Sequence, residues 1–583
     1  MQLQNDFSRI ICAQVFLDSV GIKVRAMHLF NILKRDSDIF GRQFLGLAAI
    51  SGVASAAILA IINMAVQKTD EQGIQATEGV EVNWHSVVLF ALAIGIYIAS
   101  QQRLMNGACQ KVEDILDKLR MRLVEAARSA ELLEIEKIGR TSIYAALGRE
   151  AQVISQSTPM LISAIQSAIL VICSMLYMAY LSTTAFVLAT TFTITAAIFH
   201  LTRSKEVATQ LHETAMRENQ LISGFSDILE GFREIKLNAQ KSNAISANVS
   251  RMSGLVSALR VKTQSLQAHD FVWSQVTFFV LTGLMAFAVP MLSTVSLETV
   301  AMTTVATLFL IGPVSSIVGS LPVFAQANAA AERIIALEES LQNLSSLSDE
   351  MSLDDRFSRF RAIQLNEVQF SHKSAGGEVG FEVGPISLNI ERGSTVFITG
   401  GNGSGKTSFL YLLLSLYPTA HGTISIDGIP IGAANIHTYR NLFSTIFSDN
   451  HLFEELYGIE NYDPDEAKQL FELLEIDHKV ALEGRRFSSL KLSTGQKKRV
   501  AMIAAILEKR PVCVFDEWAA DQDPYFREKF YRVILPYLKE AGITVIAITH
   551  DDKYFDVADV RMHMADGKLT FVDAECGASR KIA

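Results

Sequence analysis

Between Ala151 and Thr202 the chain carries no Asp, Glu, Lys or Arg. A helix on the surface of a soluble domain needs a polar face toward water, and this stretch has none of the residues that supply one best. It is long enough for two crossings of a hydrocarbon core by helices of about 20 residues each, with Ser182-Thr183-Thr184 as the tight turn between them. Uncharged runs recur at Phe44–Val66, Val82–Gln102, Phe271–Leu292 and Thr299–Val323, which makes six expected crossings. Trp84 sits at the edge of the second run, where an interfacial aromatic belongs. Charged residues make up 19% of the chain and mean hydropathy is +0.25. Soluble domains carry about 25% charge, so the balance points the same way.

Polarity is asymmetric along this half. Basic residues concentrate in 1–43, 103–150 and 203–262, whereas the other connections hold Asp70, Glu71, Glu78, Glu81 and Glu298. The positive-inside rule then places both termini in the cytoplasm of an inner (plasma) membrane protein. Residues 1–43 interleave apolar stretches with Arg9, Lys23, Arg25, Lys34, Arg35 and Arg42, a pattern for a helix on the membrane surface and not for a cleaved signal peptide. No leader-peptidase domain is expected in the residues before Phe44. Asn63, Gln166, His200 and Gln275 lie within the expected spans, where a polar group either lines a cavity or bonds a neighbouring helix.

The expected organisation is a cytoplasmic segment 1–43, a six-helix membrane domain 44–340, a Ser/Asp-rich linker 341–358 and an α/β domain 359–583. In the last, short β-type runs such as Val396-Phe397-Ile398, Val512-Cys513-Val514-Phe515 and Thr544-Val545-Ile546-Ala547-Ile548 alternate with helical patterns, predicting a mainly parallel sheet. A net charge of −9 without a basic block excludes nucleic acid as the main partner. The cysteines 12, 109, 173, 513 and 576 show no metal-ligand spacing.

Gly400-Gly401-Asn402-Gly403-Ser404-Gly405-Lys406-Thr407-Ser408 follows one of these apolar runs and opens a helical pattern, the context a phosphate-binding loop needs. Its glycines let backbone N–H groups turn inward around a phosphate, Lys406 reaches the β- and γ-phosphates, and the Thr407 hydroxyl is placed for Mg²⁺. Leu492-Ser493-Thr494-Gly495-Gln496 precedes a second helical run and offers Ser493, Gly495 and a helix N-terminus to an anion. Asp516 and Glu517 end an apolar strand: Asp516 suits Mg²⁺ and Glu517 a general base for water. Ala519 to Pro524 forms a turn, and His550 ends another apolar strand within reach of the γ-phosphate.

In this order the motifs resemble an ABC transporter half-molecule of the exporter type, six membrane helices fused to an α/β P-loop (RecA-like) ATPase domain. The resemblance covers nearly the whole chain and is most specific over 395–555. It implies that Leu492–Gln496 is the family signature, with Thr494 where Gly is commoner, that Glu517 is the catalytic glutamate and His550 the switch histidine, and that Asp523 lies in the turn reaching a partner subunit. The segments 443–449, 516–524 and 231–238 are similar to bacterial cyclic-peptide and siderophore-peptide exporters. Two departures stand out. Ser448 occupies the place of a Gln that contacts Mg²⁺, and His372 the place of the adenine-stacking Tyr, with Phe370 as a candidate replacement.

The resemblance further implies a homodimer that sandwiches two ATP molecules with Mg²⁺ between the phosphate loop of one chain and Ser493–Gln496 of the other. Turns near 138–150 and 231–237 would dock on the ATPase domain near Ser448. The expected function is ATP-driven export of a cyclic or modified peptide, or a peptide siderophore precursor. The alternatives are a lipid or lipopeptide flippase and, from another class, an ATP-gated channel or sensor. The expected spans hold no acidic residue, so a cavity between them has no counter-charge for a cation, which fits a neutral or amphipathic peptide.

Overall fold

The computed structural model describes residues 28–35, 42–73, 84–292, 296–342, 357–373, 379–572 and 579–580. They fall into two compact units, one of residues 1–125 with 140–340 and one of residues 126–139 with 341–583. Most of the expected 1–43 segment, of the loop around Glu78 and Glu81 and of the 341–358 linker lies outside the described residues.

The first unit is helical. Among the described residues five helices are long and apolar enough to cross a membrane: Gln43–Met64, Trp84–Ser129, Ser142–Leu181, Ala239–Phe287 and Leu297–Leu341. The sixth expected crossing opens the helix Thr183–Glu230, whose described stretch Thr183–Phe199 is apolar. Trp84–Ser129 has 46 residues; at 1.5 Å per residue it runs about 69 Å, far beyond a hydrocarbon core of about 30 Å. The turn expected at 182–184 narrows to Ser182, extended at φ −160°, whose Oγ caps the next helix by accepting from Ala185 N.

Polar groups among the apolar helices bond each other. Gln166 Nε2 donates to Ser51 Oγ at 2.7 Å and Ser51 Oγ donates to Gln101 Oε1 at 3.0 Å. Asn63 Nδ2 donates to Tyr177 Oη at 3.3 Å and to the Met302 carbonyl at 3.4 Å. For Asn63 and Gln166 the helix–helix use is therefore the one observed. Gln275 is half-buried, and the His200 side chain lies outside the described residues. Two buried carboxylates are each neutralised twice, as burial of charge demands. Glu338 pairs with Arg35 at 3.2 Å and Arg122 at 3.1 Å; Glu150 pairs with Arg149 at 3.3 Å and Arg333 at 2.6 Å. The helix His28–Arg35 buries Leu29, Ile32 and Leu33, and Leu29 N donates to Asn328 Oδ1.

Among the described residues the second unit holds thirteen strands: β1 (Ala362–Lys373), β2 (Val379–Glu391), β3 (Thr395–Gly400), β4 (His421–Ile426), β5 (Ile429–Pro430), β6 (Phe443–Ile446), β7 (Leu482–Glu483), β8 (Arg486–Phe487), β9 (Val512–Asp516), β10 (Thr544–Ile548), β11 (Val560–Ala565), β12 (Lys568–Val572) and β13 (Ser579–Arg580). The main sheet runs β13-β12-β11-β3-β10-β9-β6, parallel from β11 to β6 with an antiparallel edge at β12 and β13. Every residue of β3, β9 and β10 is buried, which explains their near-continuous apolar sequence. A second, antiparallel sheet β2-β1-β4-β5 and a hairpin β7-β8 complete the unit, so the sheet structure is more mixed than the sequence predicts.

The same unit includes the short helix Leu132–Ile138. Leu132 and Leu133 pack on its apolar core, and Tyr417 Oη donates to Glu136 Oε2 at 2.8 Å.

Candidate nucleotide-binding and hydrolysis site

The register of three adjacent parallel strands builds the site. Ile548 of β10 pairs with Ile398 of β3 on one side and with Asp516 of β9 on the other. The loop after β3, the Asp516–Glu517 pair and Thr549–His550 therefore emerge side by side at the carboxyl ends of the strands, where open α/β sheets bind ligands.

The loop is shaped by glycines in the left-handed region: Gly400 at φ +148°, Gly403 at +78° and Gly405 at +101°. A Cβ on Gly400 would come within 2.2 Å of the Met564 carbonyl. At Gly401 and Gly403 the space is open, which leaves a cradle for a ligand. Lys406 is buried and its Nζ donates to the Gly400 and Gly401 carbonyls at 3.0 and 2.9 Å. It also lies 4.0 Å from Glu517 Oε1. Ser404 Oγ is buried without a hydrogen-bond partner among the described residues. Gly-lined space, an orphan hydroxyl, a lysine and the start of helix Lys406–Leu413 together fit a polyphosphate.

Asp516 is buried, and burial lifts its carboxyl above the usual carboxylate range, against the opposing pull of Ser448 and Lys498. Ser448 N donates to Asp516 Oδ2 at 3.4 Å, so the position where Gln is usual does adjoin the buried carboxylate. Thr407 and Ser448 are exposed at the same site. Asp516, Thr407 and Ser448 offer hard oxygen donors that suit Mg²⁺ once phosphate oxygens add to them. Among the described residues no cluster of three or more His, Cys, Asp or Glu side chains could hold a metal alone.

Glu517 takes the left-handed conformation, φ +49° and ψ 36°, with its N–H bonded to the Ile548 carbonyl at 3.1 Å. That turn brings its Oε1 to 3.3 Å from His550 Nε2. The histidine strand end is braced from behind. Tyr531 Oη pairs with Thr549 Oγ1 at 2.5 Å and donates to Asp551 Oδ2 at 2.9 Å. A carboxylate next to an imidazole and an ammonium can take a proton from water and settle charge on a leaving phosphate.

The signature segment lies on a different connection. Ser493 and Gln496 form a capping box on helix Thr494–Leu507, at 3.4 and 3.2 Å, and Ser493 and Thr494 are exposed. A Cβ on Gly495 would come within 2.6 Å of the Asp521 carbonyl, so close packing of the following turn requires glycine there. Gln522 Nε2 donates to the Gly495 carbonyl at 3.0 Å, and Arg499 pairs with Asp523 at 3.0 Å. Asp523 also caps the helix Pro524–Lys529, and the Phe526 N–H with Arg499 holds its carboxyl below the usual range. Among the described residues no hydrogen bond links Ser493–Gln496 to the phosphate loop.

Phe370 does not serve as an adenine platform in this arrangement. It is 4% exposed and its ring packs 4.7 Å from that of Tyr417, so both faces belong to the core. The His372 side chain lies outside the described residues. Phe381, unmarked in the sequence, stands beside the loop instead: it is 39% exposed, and a Cβ on Gly405 would come within 2.8 Å of its ring. No local sequence signal marks it, since Gly380 and Glu382 on either side are exposed as well.

Comparison with known proteins agrees with this geometry. A family model described as ABC transporter matches residues 383–520. The ATP-binding protein SyrD of Pseudomonas syringae pv. syringae is 29% identical over 553 residues, covering 92% of this chain and 94% of that protein. The energy-coupling factor transporter ATP-binding protein EcfA1 of Mycoplasmopsis synoviae (strain 53) is 30% identical over 216 residues, 36% of this chain and 80% of that protein. The solved structure of a bacterial Atm1-family ABC exporter with ATP bound superposes with a TM-score of 0.71 at 17% identity, covering 91% of this chain and 94% of that one, a likeness of fold. The chain belongs to the ABC transporter family, as a multi-pass membrane protein whose α/β unit binds ATP and couples its hydrolysis to transport.

Proposed function

We propose that the chain acts as a homodimer in the inner membrane, with both termini cytoplasmic, and exports a cyclic or modified peptide, or a peptide siderophore precursor. The observation that carries the reading is the split site. Hydrolytic groups converge on the phosphate loop, whereas Ser493 and Thr494 are exposed and, among the described residues, Ser493–Gln496 bonds to its own helix and the 519–523 turn. A second copy supplies the missing donors. ATP with Mg²⁺ then closes the dimer more tightly than ADP does, and that differential affinity drives the membrane helices between states.

In this reading Gly400–Ser408 hold the phosphates, Thr407, Asp516 and Ser448 hold Mg²⁺, Glu517 takes the proton of the attacking water and His550 orients the γ-phosphate. Phe381, with His372, flanks the base. Asp523 reaches the partner's site. Bound Mg²⁺ supplies charge neutralisation at the β- and γ-phosphates.

The peptide cargo rests on the similarity of segments 231–238, 443–449 and 516–524 to peptide exporters, and on the lack of acidic residues in the expected spans. The test is ATPase activity of the purified protein against fractionated cell peptides and, separately, labelled-lipid translocation in vesicles. Stimulation by a peptide fraction supports export. Lipid movement without any peptide response replaces it with a flippase. A Glu517→Gln variant that loses turnover but keeps substrate flux identifies a gated channel.

A further inference from the structure

We propose that Lys498 is the positioning residue that holds Glu517 in its hydrolytic conformation. The inference rests on the reading of Glu517 as the general base. Lys498 stands in the second turn of helix Thr494–Leu507 and is 1% exposed, an uncommon place for a lysine. Its Nζ donates to the Glu517 carbonyl at 3.1 Å and pairs with Asp521 Oδ2 at 2.7 Å. Its own carbonyl accepts from Trp518 Nε1 at 3.0 Å. One residue of the helix thus holds the segment that follows β9 at three points.

Glu517 needs that hold. A left-handed conformation is disfavoured for any residue with a Cβ, and it persists only where the surroundings over-determine it. The Ile548 carbonyl fixes the N–H of Glu517, and Lys498 Nζ with the Ala520 N–H fixes its carbonyl. With both peptide ends tied, the side chain has one way to leave the backbone, toward His550 and Lys406. Trp518 anchors the next position by stacking on Phe530 at 4.5 Å. No substrate atom is within the role of Lys498; it acts through Glu517. Asp521 Oδ2 neutralises the buried ammonium, and because the Asp521 side chain is 40% exposed it returns to water if the lysine is lost. The fold should therefore outlast removal of Lys498, while the aim of Glu517 should not.

The experiment compares full-length wild type, Lys498→Met, Lys498→Gln with Asp521→Asn, and Glu517→Gln by steady-state Mg-ATP hydrolysis and thermal melting. Loss of positioning should lower kcat of Lys498→Met about thirtyfold, with KM within about twofold and the melting temperature nearly unchanged. The double variant restores a neutral donor to the Glu517 carbonyl without leaving a charge, and should recover kcat to within about threefold of wild type. Lys498→Met at wild-type kcat beside an inactive Glu517→Gln overturns the positioning role. A double variant that folds but stays about thirtyfold slower than wild type overturns it too, and decides the matter if Lys498→Met fails to fold. Glu517→Gln at wild-type kcat instead removes the general-base reading itself.

Discussion

His550 Nε2 lies 3.3 Å from Glu517 Oε1 although the two residues come from different strands, one after β10 and one after β9. The parallel pairing of Ile548 with Asp516 sets both at one level, and the left-handed turn at Glu517 swings its carboxylate toward the imidazole. General-base catalysis contributes about 10² to 10⁴ in rate. Glu517→Gln should therefore lower kcat by about a thousandfold while ATP still binds. His550→Ala should lower it less, by about 10 to 100-fold, since the carboxylate and Lys406 remain. A larger loss in His550→Ala than in Glu517→Gln would mean that the histidine, not the glutamate, carries the proton. Single-turnover hydrolysis with measured nucleotide binding distinguishes the cases.

Phe381 and Gly405 form the second test. The ring occupies the space that a side chain at 405 would need, and Gly405 is already left-handed at +101°. Gly405→Ala should weaken ATP binding severely, because the loop must move to admit the methyl group. Phe381→Ala should leave the loop intact and raise the KM for ATP about tenfold, in line with aromatic–base stacking of about 1–3 kcal/mol. Unchanged KM in Phe381→Ala would leave the base to His372 alone.

Asp516 provides a pH test. Burial raises its pKa, so the folded state holds that proton more tightly than the unfolded state. Between the ordinary value of about 3.9 and the raised one, the unfolded chain binds fewer protons, and stability falls as pH rises through that window. At neutral pH the ionised buried carboxylate is then a net cost in the absence of metal. Asp516→Asn should melt at the same or a slightly higher temperature at neutral pH in EDTA, with the difference shrinking as pH approaches 4. Turnover should be lost in the same variant. A clearly lower melting temperature at neutral pH would show that Asp516 is held as a stabilising anion.

The sequence carried the chemistry of the site because its motifs are local. Gly400–Thr407, Asp516–Glu517 and His550 are each a few consecutive residues at the end of an apolar run, and a parallel sheet brings such ends together. The membrane spans were equally legible, since an uncharged stretch has few other uses. Contacts between distant side chains were not legible. Nothing local marks Lys498 as buried, or shows that Phe370 turns into the core while Phe381 faces the loop. The antiparallel extent of β1 and β2 was also hidden, because Glu367, at φ +49°, and the shifts in register break the alternation that would announce long strands. Nor was it legible that helix Leu132–Ile138 belongs to the second unit, where Leu132 and Leu133 pack on its apolar core.

That helix supports the last prediction. Tyr417 Oη donates to Glu136 Oε2 at 2.8 Å, and burial together with this carboxylate pushes the phenol well above its ordinary range, so the tyrosine stays protonated as a donor at all working pH values. Tyr417 also packs on Phe370 and on Tyr411, which fixes its ring in the core of the ATP-binding unit. Tyr417→Phe keeps that packing and removes only the hydrogen bond, worth about 1.5–3 kcal/mol to a charged acceptor. The ATP site itself is untouched, so basal hydrolysis should stay within about twofold of wild type. Helix Leu132–Ile138 follows the long helix Trp84–Ser129 in sequence, so under the proposed function a signal of nucleotide state to that helix would pass through this grip. Stimulation of hydrolysis by a transported compound should therefore fall severalfold in Tyr417→Phe, and Glu136→Gln, which keeps an acceptor, should fall less. Intact stimulation in both variants would show that the apolar contacts of Leu132 and Leu133 suffice to carry the coupling.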